Sequence, residues 1–140
     1  MLTKLNTIYT EYAETVKTVR KEARMFDGFL GMGKDPKNHA CHEAFYEAVG
    51  AWVTEFLATE PSGEDLMAAA VFLLEEPIVY KGEECYWFMY ASHGHIKPLI
   101  PHLSKENCAE LGQRLEKNYR KVDRLPLQKD LLKMLAKAAK

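Results

Sequence analysis

The run LTKLNTIYTEYAETVKTVRKEARMF, residues 2–26, decides the fold class. Its apolar positions Leu5, Tyr9, Tyr12, Val16, Val19, Ala23 and Phe26 recur at alternating intervals of four and three, the seam of a helix that packs against other helices. No strand produces that spacing, because a strand alternates every second residue. The stretch that follows, DGFLGMGK at residues 27–34, sets three glycines among Phe29, Leu30 and Met32, so it reads as a loop folded back onto the body of the protein.

The same logic continues along the chain. Asp35 ahead of Pro36 is a helix-start signal, and the second helix should run to about Ala58. EPSGED, residues 60–65, breaks it, and Ser62 with Asp65 three residues on reopens a helix in the manner of a capping box. LMAAAVFLL, residues 66–74, is apolar on all sides and predicts a short helix packed between others at the centre of the core. Pro77 ends it. IVY, residues 78–80, is the only strand-like piece and has no partner, whereas residues 83–97 carry helical signals up to Pro98.

Ser104 caps a further helix whose stripe Cys108, Leu111, Leu115, Tyr119 and Val122 is narrow, which predicts an outer position. After a turn at DRLP, a last helix from Pro126 presents Leu127, Leu131, Met134, Leu135 and Ala138 on one side. The reading is one all-α domain over residues 1–140, a helical bundle of five to seven helices, with HEAT-like stacked helical pairs as the alternative architecture.

Composition narrows the function classes. At 140 residues with 47% apolar and 28% charged side chains, the chain can bury a core without disulfides or a structural metal. Three cysteines in an unpaired pattern, with no leader pattern ahead of them, point to a reducing compartment and a cytoplasmic location. The longest apolar run is far short of the roughly 20 residues that span a bilayer, so no membrane is expected.

The net charge of −1 conceals an asymmetry: residues 1–96 carry 8 Lys and Arg against 15 Asp and Glu, and residues 97–140 carry 11 against 5. Opposite halves of −7 and +6 can attract within one fold or between copies in a homo-oligomer. The basic residues lie among acids on amphipathic helices and lack the aromatic interleaving of a nucleic-acid stacking platform, which argues against a nucleic-acid partner.

The residues with chemistry cluster in NHACHEAFY, 38–46. On a helical wheel of about 100° per residue, His42 falls on the apolar face between Val49 and Val53, with His39 and Tyr46 at its edge and Glu43 beyond. Residues 83–97 turn His93 toward Tyr86, Met89 and Ile96, and His95 elsewhere with Phe88. Two helices thus each direct one histidine inward, accompanied by Tyr46, Tyr86 and Tyr90. Side-by-side packing would join them in a polar pocket inside an aromatic core. Burial keeps such a histidine neutral, and a neutral imidazole can ligate a metal, take a proton or accept a hydrogen bond from a tyrosine.

His39, His42, Glu43 and His93, with His95, are the residues that could hold a divalent metal, since positions three or four apart share a helix face. HACH and HxxHE nevertheless match no zinc or di-iron signature. Cys41 near a helix start is a candidate thiolate, but adjacent Cys41 and His42 diverge on a helix, so Cys41 reads as a small apolar filler. GMGK lacks the strand and the spacing of a phosphate loop. Arg124 before Leu125 and Pro126 could clamp an acidic group at the last turn. The expected function is a small cytosolic binding or protein-interaction module that takes a protein or small-molecule ligand in the His/Tyr-lined pocket. The alternative is an enzyme using an inward histidine as general base or metal ligand, assisted by Glu43 and Tyr46.

Overall fold

A computed structural model describes the backbone of residues 2–30, 36–75, 83–118 and 126–140, and within these all side chains except those of 20, 22–30, 36–39, 83–86 and 118. The described chain is all-α: α1 (Leu2–Leu30), α2 (Pro36–Ala58), α3 (Gly63–Glu75), α4 (Glu83–His93), a 3-10 segment (Gly94–His102), α5 (Lys105–Asn118) and α6 (Pro126–Ala138). Two compact units, Met1–Trp52 and Val53–Lys140, divide it within α2.

In the first unit the expected seam of α1 is buried at Leu5, Tyr9, Tyr12, Val16 and Val19, and α2 buries His42, Phe45, Val49 and Trp52. The outer face of α1 is rich in threonine, a residue that competes for backbone hydrogen bonds. Here Thr7, Thr10, Thr15 and Thr18 each donate to the carbonyl four residues back, so the hydroxyls are satisfied without breaking the helix. α1 also runs further than expected, through Asp27–Leu30, because one glycine does not stop a helix that has already formed. The cap expected at Asp35 lies outside the described residues.

The second unit begins with the end of α2, where Thr59 and Glu60 donate to the carbonyls of Phe56 and Leu57 and Glu60 takes a φ of 54°, the left-handed wrap that commonly closes a helix. Ser62 then caps α3: its Oγ accepts the Asp65 N–H at 3.1 Å and its carbonyl accepts the Leu66 N–H at 2.9 Å. Ser104 caps α5 in the same way through the Asn107 N–H, at 3.1 Å.

α3 packs against the 3-10 segment, α4 and α5, the 3-10 segment also meets α4 and α6, and α5 packs along α6. Leu66, Ala69, Ala70, Leu73 and Leu74 of α3 are buried, whereas Ala68 is exposed, so this helix is covered on one side and is not enclosed all round. The narrow stripe of α5 is buried at Cys108, Leu111 and Leu115.

Two further expectations change. Residues 94–102 do not continue α4 to Pro98: they tighten into a 3-10 helix that contains Pro98 and Pro101 and buries His95, Ile96, Leu99 and Ile100. In α6 the buried face is Gln128, Leu131 and Leu135, while Met134 is 37% exposed. The buried face is therefore turned by about 50°, roughly a seventh of a turn, from the one its hydrophobic residues suggest. IVY at 78–80, the end of the α5 stripe at Tyr119 and Val122, the DRLP turn and Arg124 lie outside the described residues.

Candidate functional site

His42 is 2% exposed and its Nδ1 lies 2.6 Å from the hydroxyl of Tyr12 on α1. This buried hydrogen bond ties the phenol to the imidazole and holds the His42 ring through Nδ1. Phe45, one turn along α2, fixes the other side of this pair: its ring stacks on Tyr12 at a centroid distance of 3.9 Å and meets the edge of Tyr9 at 5.0 Å. His42 meets the Tyr12 ring edge-on at 5.7 Å. The inward histidine of α2 thus belongs to an aromatic cluster, and its tyrosine partner comes from the α1 seam.

Beside that cluster, α1 and α2 form a groove of about 230 Å³ lined by Ile8, Glu11, Tyr12, Thr15, Cys41, Ala44, Phe45 and Ala48. Cys41 is half-buried on its wall. Glu43 is exposed on α2 and Tyr46 is half-buried, so the two residues expected to assist His42 sit outside the groove lining. The His39 side chain lies outside the described residues.

In the second unit His93 is 1% exposed, and both ring nitrogens are engaged: Nε2 lies 3.1 Å from the Leu74 carbonyl and Nδ1 3.1 Å from the Gln128 amide nitrogen. A carbonyl only accepts, so Nε2–H donates to Leu74 and the bare Nδ1 accepts from Gln128. Beside it Ser92 donates to the Leu73 carbonyl at 2.5 Å. Together these side chains satisfy carbonyls at the end of α3, which has no helical partners of its own to offer them.

Burial pushes His93 down to about 4 from 6.5, against a smaller opposing effect of the Leu74 carbonyl. His95, bonded through Nδ1 to the Ala91 carbonyl at 2.5 Å, is also lowered by burial. His93 is accordingly neutral near pH 7 with no lone pair left to offer a metal or a substrate. Tyr90 is half exposed at 51%, and the Tyr86 side chain lies outside the described residues.

Gln128 is the residue that sequence reasoning missed. It is fully buried and its Oε1 has no hydrogen-bond partner among the described residues. The signal was the spacing 128, 131, 135, which places a glutamine on the same stripe as two leucines.

A second groove of about 390 Å³ lies along α5 and α6, with Ala109, Gly112 and Ala136 among its lining and with Glu116 and Lys133 of opposite charge on its walls. Among the described residues no three His, Cys, Asp or Glu side chains converge to hold a metal ion. No described helix is long and apolar enough to cross a membrane. No protein-family model, no curated protein and no solved structure matches the chain.

Proposed function

We propose that the protein is a helical interaction module whose α1–α2 groove receives an apolar side chain from a basic amphipathic helix of a partner protein. The observation that carries this reading is the groove itself, with its aromatic floor of Tyr12 and Phe45 and its acidic wall at Glu11. About 230 Å³ is below the roughly 300 Å³ at which pockets for small molecules begin, and suits one or two aliphatic side chains. Ala44 and Ala48 present no bulk, so a third helix can approach the α2 backbone closely. Glu47 is exposed on α2, and with Glu11 it favours lysine or arginine on the incoming helix. The occupied nitrogens of His93 support a binding role over one in acid–base catalysis.

The test uses a fluorescent synthetic helix of leucine and lysine heptads, with a leucine and glutamate helix as the control. Fluorescence anisotropy should report binding of the basic helix alone, weakened about tenfold, about 1.4 kcal/mol, by Ala48→Trp, which fills the groove. Bound helix should also shield Cys41 from alkylation, read by peptide mass spectrometry. Equal binding by folded Ala48→Trp, or equal binding of the acidic helix, overturns the reading.

A further inference from the structure

We infer that the side-chain amide of Gln128 turns over when His93 is protonated, so that the junction of α3, α4 and α6 holds this histidine in both of its charge states. Because the Leu74 carbonyl accepts from Nε2, the single proton of a neutral His93 sits there, and Nδ1 faces Gln128 as a lone pair. Only the NH2 end of the amide can meet it, which is the arrangement seen at 3.1 Å. The consequence is a buried Oε1 with nothing to accept. For the neutral state alone that oxygen is useless.

Protonation reverses the requirement. Nδ1 then carries a hydrogen, two donors face each other, and the glutamine must present an acceptor. A half-turn about the terminal torsion of Gln128, which is broad and two-fold, exchanges Oε1 and Nε2 within the same outline and needs no movement of α6. The imidazolium then donates to Leu74 through Nε2 and to Oε1 through Nδ1. The second of these is a charge-assisted bond, stronger than the neutral one it replaces. Burial opposes the charged form, and the reoriented amide works against that opposition.

Charges among the described residues do not account for the behaviour of this site. On α3, Glu75 is exposed and bonded to Arg114 at 2.8 Å. On the 3-10 segment, His95 is bonded to the Ala91 carbonyl, Lys97 is half-buried and His102 exposed. On α6, Lys129, Asp130, Lys133 and Lys137 are exposed. The depressed pKa of His93 has burial as its main cause, opposed by the Leu74 bond, and no charged side chain among the described residues contributes.

The device thus lessens the cost of protonating a buried histidine without abolishing it, because burial still opposes the charge. Its test is the sign of one shift. In the full chain, the His93 midpoint is followed by NMR of the imidazole nitrogens in wild type and in Gln128→Met. An amide that turns over stabilises the imidazolium more than the neutral ring, so its removal should lower the midpoint by at least about half a unit, a threefold change in proton affinity. A fixed amide stabilises only the neutral ring, so a midpoint that rises or stays in place on its removal overturns the inference. Gln128→Glu gives a second reading at neutral pH, outside the acid range. With an acceptor-only side chain opposite Nδ1, His93 should carry protons on both nitrogens at pH near 7, and a neutral ring there is the opposing result.

Discussion

Acid should weaken this fold through His93 in a specific window. In the unfolded chain this imidazole takes a proton near 6.5, whereas in the folded state it does not do so until about 4. Between those values the unfolded state binds more protons, so stability is fully present above 6.5 and is lost progressively as the pH falls toward 4. A separation of about 2.5 units at about 1.4 kcal/mol each amounts to roughly 3 kcal/mol, with little screening to discount in a side chain only 1% exposed. That is a large share of the stability of an ordinary domain, roughly 5–15 kcal/mol. His95 is shifted in the same direction and adds to the loss.

The measurement is urea unfolding followed by far-ultraviolet circular dichroism at several pH values from about 7 down to about 4.5, on wild type and His93→Leu. The variant takes one hydrogen bond from the Leu74 carbonyl and strands the Gln128 amide, so it should be less stable at neutral pH, but its acid slope should be shallower. Carboxylates titrate in both chains and cancel in the comparison. Parallel slopes for the two proteins would refute the assignment of a neutral, acid-sensitive His93.

Tyr12→Phe keeps the ring that stacks on Phe45 and removes the hydroxyl bonded to His42 Nδ1, so it should cost about 1–2 kcal/mol in a thermal melt. An unchanged midpoint would mean that this bond contributes nothing to the fold. Gly94→Ala should raise the melting temperature, by about 0.4–1 kcal/mol of stability, because a Cβ there meets nothing within 4 Å and the alanine restricts the unfolded chain. A lowered melting temperature would show that the junction between α4 and the 3-10 segment depends on a glycine.

Helices with one buried side were legible because a single period decides them: the α1 seam from Leu5 to Val19 and the α5 stripe at Cys108, Leu111 and Leu115 are buried as their spacing implies. The caps at Ser62 and Ser104 were legible because capping is a local interaction between residues three apart. His42 and His93 were recognisable as inward residues for the same periodic reason. Their partners were not, since Tyr12 and Gln128 lie 30 and 35 positions away and become neighbours only through tertiary packing. Gln128 was concealed by its polarity, which led the α6 face to be drawn through Met134. Pro98 was read as a stop because it breaks an α-helix, but a 3-10 turn with few α-type bonds to lose carries it.

The prolines of the 3-10 segment also act before the protein folds. Pro98 and Pro101 are three positions apart, which in a helix of three residues per turn sets them one above the other, and both are exposed. Their rings make little of the core, but each fixes one backbone torsion in the disordered chain. The stretch that must cover α3, α4 and α6 therefore searches fewer conformations on the way to its place. The gain, about 0.4–1 kcal/mol per proline, resides in the unfolded ensemble, where no inventory of native contacts records it.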